Sequence, residues 1–150
     1  MSKPGVPAVP GVMVALRDRD HVEELMRLAG QLSQAMNAPL ITVHVVEVAL
    51  ALDLDAVSEL LDREGKKILA RARDVAAKDF SKEITTRLLR AREAGPAIVT
   101  EAMDQGVELL LLGYHQKPVV QEAVFGSTVR HVARHAPCRV IIQVSPARRP

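Results

Sequence analysis

Residues Leu109–Ser145, LLLLGYHQKPVVQEAVFGSTVRHVARHAPCRVIIQVS, decide how this chain folds. Four consecutive leucines make a continuous apolar run, the pattern of a strand covered on both faces. Gly113 ends that run. Gly126-Ser127-Thr128 then opens a helical stretch, and Arg139–Val144 is a second apolar run of strand type. A strand that hands over to a helix N-terminus is where α/β proteins hold anions, because unpaired N–H groups and the positive end of the helix dipole point there.

Working outward, the same alternation continues. Val12–Leu16 is a short apolar strand, broken by Arg17-Asp18-Arg19-Asp20. Asp20 is expected to cap the next helix, with Glu23 in the capping-box position. Val22, Leu25, Met26, Ala29, Leu32 and Met36 recur at helical spacing, and Asn37-Ala38-Pro39 ends the helix. Leu40–Val46 is a second strand, and residues 47–54 (EVALALDL) read as a connection without periodicity. Asp55 is expected to cap a long amphipathic helix carrying Leu61, Ile68, Leu69, Ala72, Val75 and Ala76. Gly65 inside it costs about 1 kcal/mol relative to Ala. Ile84–Ala91 is a third strand. Gly95-Pro96 opens a helix with Pro at its first position, Ile98, Val99, Ala102 and Met103 on its buried face, and Gly106 at its stop.

The order β-α-β-α-β-α-β-α-β calls for an α/β fold with an open parallel sheet and helices on both faces. Ligands of such sheets bind beyond the carboxyl ends of the strands, where the winding direction switches. The expected organisation is a loose N-terminal segment at 1–11, one domain at 12–145 and a C-terminal tail at 146–150.

Composition narrows the function. A chain of 150 residues with 48% hydrophobic and 25% charged residues is an ordinary globule. Aromatic residues are only 2% (Phe80, Tyr114, Phe125), too few for the stacking that single-stranded nucleic acids require. Net charge is +2 with both signs well mixed, so no nucleic-acid footprint is present. The one cysteine, Cys138, precludes an intramolecular disulfide and fits a reducing compartment. Pro4, Pro7 and Pro10 interrupt the first residues where a signal peptide needs an apolar core, and no run approaches the ~18 apolar residues of a membrane span. A cytoplasmic protein without membrane insertion is expected.

At this point the pattern resembles a known family. Gly113-Tyr114-His115, Gly126-Ser127 and the following helix with APCRVIIQV resemble the C-terminal signature of universal stress proteins. LITVHVVEV is similar to that family's second strand, and the resemblance runs from about Val12 to Val144. It implies a five-stranded sheet of order 3-2-1-4-5, Rossmann-like, usually in a homodimer, with some members binding ATP. Binding members carry Gly, two residues, Gly, nine residues, then Gly-Ser or Gly-Thr. Gly113 and Gly126-Ser127 match, whereas Gln116 stands at the middle glycine and Arg17 stands where binders carry an aspartate after the first strand.

The resemblance implies candidate nucleotide contacts at Ala15, Arg17, Val45, Gly113, His115, Gln116, Gly126, Ser127 and Thr128, with ATP and its Mg as the ligand. Val45 would act through its backbone on adenine. Gln116 cannot reproduce a glycine's conformations, although its amide can donate to phosphate; Arg17 accepts no hydrogen bond but can pair with one. The opening LRDRDHVEELMRLAG is also similar to the stress-protein domains appended to amino-acid permeases and sodium–proton antiporters. That similarity implies the alternative function, a protein-interaction or transporter-regulatory domain without nucleotide.

Other patterns have plainer readings. Ser and Thr after Gly126 suit a helix cap in any protein. His131, His135 and Cys138 form HxxxHxxC, but Val129, Val132, Ala133 and Ala136 are expected to be the buried face, leaving both histidines towards solvent; no metal site is assigned. His44, within a strand, reads as a packed histidine with one bonded nitrogen. Neither a Walker loop, a GxSxG elbow nor a paired carboxylate occurs, and no catalytic residue is assigned. The apolar strand Arg139–Val144 needs a cover, which motivates dimerisation through that edge.

Overall fold

A computed structural model of the chain describes residues 10–54, 59–115 and 126–146. Asp55, Gln116 and Phe125 lie outside the described residues, as do most of the expected N-terminal segment and tail. The strands are β1 (Val12–Ala15), β2 (Leu40–Glu47), β3 (Thr85–Ala91), β4 (Leu109–His115) and β5 (Arg139–Ser145). The helices are α1 (Val22–Met36), α2 (Glu59–Phe80), α3 (Ala94–Gln105) and α4 (Ser127–His135).

All five strands pair in parallel in the order β3-β2-β1-β4-β5, as expected. The central strands are apolar and buried through β1 and through Leu109–Leu112 of β4, because helices cover both sides there. Alternate residues feed two cores. Val12, Val14, Leu16, Leu109 and Leu111 face α1 and α2, together with Leu25, Met26, Ile68 and Ala72. Met13, Ala15, Val43, Leu110 and Leu112 face the other side, with Ile98, Val99, Ala102 and Val132. The period of two in each strand is what separates these layers.

Several expectations are corrected. Asp18, not Asp20, is the N-terminal cap: it precedes a 3-10 turn at Arg19–His21 and accepts a hydrogen bond from the Asp20 N–H at 3.2 Å. That turn leads into α1, which begins at Val22, and Glu23 pairs with Arg71 instead of closing a capping box. Pro96 is the third residue of α3, still within the first turn where a missing N–H costs nothing. Met103 is 61% exposed and Leu61 46% exposed, so neither belongs to the buried stripe assigned to it. The helix stops hold: Asn37 and Gly106 both take left-handed conformations at the ends of α1 and α3.

Gly65 is not a weak point. A Cβ there would stand 2.7 Å from Leu88 Cδ1 and 2.8 Å from His44 Cδ2, so the glycine lets α2 lie directly on β2 and β3. Ion pairs then join α2 to its neighbours. Arg71 pairs with Glu23, Arg27 with Asp79, and Arg19 with Glu64, each linking the α1 region to α2.

Candidate functional site

The winding switches between β1 and β4, the central pair of the sheet. From β1 the chain crosses to α1 on one side; from β4 it proceeds to α4 on the other. The crevice beyond the carboxyl ends of these two strands is the place where an open α/β sheet takes a ligand.

On the α4 side, the helix N-cap is Gly126, in an extended conformation with φ −63° and ψ 167°. Having no side chain, it satisfies none of the first amides of the helix. Ser127 and Thr128 are the first two helical residues, exposed and half-buried respectively, so they are not the cap themselves. Among the described residues, no atom lies within 4 Å of a Cβ built on Gly126, so packing does not require the glycine. Ala15 is buried in the core on this side, and Val45 is half-buried against it. Val45 belongs to the ladder between β2 and β3, opposite Leu89. Arg17, just past β1, is exposed.

On the α1 side the arrangement differs from expectation. Gly113 does not end β4, which continues through Tyr114 to His115. A Cβ on Gly113 would lie 2.8 Å from Leu25 Cδ1, so this glycine makes room for α1. His115 is the last residue of the strand rather than a loop residue, and it faces α1. Its ring centroid is 3.3 Å from that of His21, with the planes tilted by 43°. His21 Nδ1 lies 3.3 Å from Glu24 Oε2, which also accepts a hydrogen bond from Ser145 Oγ at 3.3 Å. His115 is thus brought to His21, on the opposite side of the sheet from Ala15 and Val45. Gln116 lies outside the described residues.

The remaining histidines divide by burial. His44 is buried, with Nδ1 2.7 Å from the Leu16 carbonyl, the packed role expected of it. His131 is half-buried, not solvent-facing: a Cβ on Gly95 would come 2.9 Å from its Cβ, so it seats α4 on α3. Ala133, expected to be buried, is exposed. Burial pushes the Cys138 thiol above its usual pKa, which suppresses the thiolate that a metal or oxidant needs. Among the described residues, the side chains that converge as a metal-capable group are Asp18, His21 and His115, not HxxxHxxC. Sequence reading missed them because 94 residues separate the two histidines, and only the β1–β4 pairing joins their ends.

An open groove of about 470 Å³ beside this end of the sheet is lined by Leu89, Arg92, Glu93, Pro96 and Thr100. Its walls come from β3 and α3, and none of the expected nucleotide contacts lines it. Next to it, Arg92 Nη1 donates to the carbonyls of Ala49 and Leu52, both at 2.6 Å. That clamp holds a connection whose Leu50 is 88% exposed. No helix among the described residues is long and apolar enough to cross a membrane.

Comparison with known proteins agrees with this architecture. The model of the universal stress protein family matches residues 11–143. A relative from Methanocaldococcus jannaschii, universal stress protein MJ0531, is 26% identical over 129 residues, covering 82% of this chain and 75% of its own. The universal stress protein from Archaeoglobus fulgidus in complex with dAMP superposes with a TM-score of 0.70 at 22% identity, covering 89% of this chain and 96% of its own. A universal stress protein in complex with cAMP gives 0.66 at 24% identity, covering 91% and 97%.

Proposed function

The chain belongs to the universal stress protein family, and from that premise we propose that it is a cytoplasmic binding and signalling module, not an enzyme, that takes an adenine nucleotide. The ligand would lie beyond the carboxyl ends of β1, β2 and β4, with its phosphates at the first turn of α4. The observation that carries this reading is the α4 N-terminus. It follows the switch-point strand and is capped by a residue without a side chain, which leaves its amides and the Ser127 and Thr128 hydroxyls for an anion. Val45 would offer its backbone to the base, and Arg17 would supply a charge-assisted contact to phosphate. Gly113, exposed within β4, would let the strand pass close to the ligand. The dAMP and cAMP complexes of its structural neighbours support adenine as the base.

The test is direct. Freshly purified protein is denatured, released nucleotide is identified by mass spectrometry, and ATP with magnesium is titrated by calorimetry. The expected result is near-stoichiometric binding, weakened about tenfold when Ser127→Ala and Thr128→Ala are combined. Absence of both retained nucleotide and heat overturns the reading.

The homodimer belongs to the same proposal. β5 is an edge strand with Val140, Ile141 and Ile142 half-buried and Val144 43% exposed, a surface that invites pairing with a second copy. Light scattering at micromolar concentration is expected to give twice the chain mass, and a monomer there removes the dimer.

A second reading rests on the leucines. Leu50, Leu52, Leu54 and Leu60 are 88%, 53%, 45% and 74% exposed, large apolar side chains open to a partner. They support a protein-interaction domain, such as one regulating a transporter. A pulldown that returns a transporter, fails with Leu50→Asp and retains no nucleotide would favour it.

A further inference from the structure

The α1 side of the crevice carries a separate set of groups with its own chemistry. One ligand-capable atom each from Asp18, His21 and His115 lies within 4.8 Å of the others. Zinc takes imidazole nitrogen at about 2.0–2.1 Å and carboxylate oxygen at about 2.0–2.2 Å, so ligand atoms around it stand roughly 3.3–3.5 Å apart. Asp18, at the exposed start of the turn, can close on an ion, while the His21 and His115 rings, 3.3 Å apart between centroids, would part to about 5 Å for each to aim a nitrogen at it. Oδ1 of Asp18 is committed to the Asp20 N–H, which leaves Oδ2.

Two further features mark this set. His21 and His115 come from separate elements, the turn before α1 and the last residue of β4, and their rings are brought into direct contact. And the first of these histidines has its Nδ1 against Glu24, whose carboxylate is in turn held by Ser145. A carboxylate behind an imidazole fixes the ring and its tautomer, presenting the other nitrogen outward; metal-binding histidines are supported in this way.

We propose that Asp18, His21 and His115 form a zinc site, with the fourth position open to water or a ligand and with Glu24 positioning His21. Two imidazoles and one carboxylate with an open position suit zinc, whereas magnesium prefers oxygen ligands throughout. The site does not depend on nucleotide binding, because its ligands stand on the α1 side and can be loaded with metal alone.

The experiment titrates the full, untagged chain with zinc chloride, free of nucleotide, by calorimetry, and follows imidazole nitrogen resonances by NMR. One equivalent is expected to bind, shifting His21 and His115 but not His131 or His135. Combining His21→Gln with His115→Gln should weaken binding about 100-fold or more. Asp18→Asn, which keeps a good helix cap, and Glu24→Gln should each weaken it about tenfold. Unchanged binding in the double variant, loss of binding in Cys138→Ser, or a tighter response to magnesium than to zinc would overturn the proposal. Because the resonance shifts are read on the unsubstituted chain, a variant that fails to fold leaves the test intact.

Discussion

The two sides of the sheet are closed in different ways. On one, α1 with 15 residues and α2 with 22 lie across the strands, joined to each other by Arg27–Asp79 and Arg71–Glu23. On the other, α3 has 12 residues and α4 only 9, and the seating is a contact between Gly95 and His131. The long pair fixes where the end of β1 goes. His44, wedged under Gly65, reaches the Leu16 carbonyl and so holds the residue before Arg17. The short pair ends at a bare glycine cap. A scaffold tied on one side and open on the other can hold a constellation such as Asp18, His21 and His115 in place while leaving α4 to meet a ligand.

Gly65→Ala is the sharpest way to break that contrast. By helix propensity alone the substitution should stabilise by about 1 kcal/mol. Here the added methyl must displace His44, whose ring is pinned by its bond to Leu16, and overpacking of this kind costs about 1–3 kcal/mol. We expect net destabilisation of roughly 1 kcal/mol by urea unfolding, together with perturbed signals for Leu16 and Arg17. A stabilised variant would mean that α2 is not seated as closely as its glycine implies.

Gly126→Ala should do the reverse. With no described atom near the new methyl and a φ of −63° that any residue adopts, the unfolding midpoint should stay within about 0.5 kcal/mol of the parent. Ligand affinity is where a loss is expected, since the backbone must approach an anion closely at this point. Unchanged ATP affinity with unchanged stability would show that the open side is open for no ligand at this helix.

This difference also explains what could be read in the chain. The strand runs LLLL and VMVAL are apolar without interruption and LITVHVV is broken only by Thr42 and His44, so the sheet and its alternation with helices were legible from hydrophobic pattern alone. Gly126 before Ser127-Thr128 was legible as a helix start for the same reason. Gly113 and Gly65 were not, because their meaning lies in what another element brings against them: Leu25 for the first, His44 and Leu88 for the second. The tied side is built from such long-range juxtapositions, and its histidine pair escaped notice with them. A signal was present in His21 and Glu24 at helical spacing, but nothing local points to His115.

The smallest expected effect lies in the charges that tie α2 to the β1 end. Arg19 donates to Glu64 through Nε and through Nη2, the latter at 2.6 Å. The hydrogen bond from Arg19 is the main reason the Glu64 carboxyl titrates below its usual range; partial desolvation opposes it. A depressed folded-state pKa contributes stability that is present above the unfolded pKa, about 4.3 for glutamate, and is lost as pH falls through the lower folded value. Wild type and Glu64→Gln should therefore differ by a small constant amount above the unfolded pKa and converge only as pH falls through the lower folded value. Both groups are exposed, so the difference should also shrink on raising salt. A large, salt-insensitive difference would mean that charge, rather than the close seating at Gly65, holds the tied side together. A convergence limited to acid pH would leave the glycine contacts as the cause, with the ion pairs only choosing the register of α2 against the turn at Arg19.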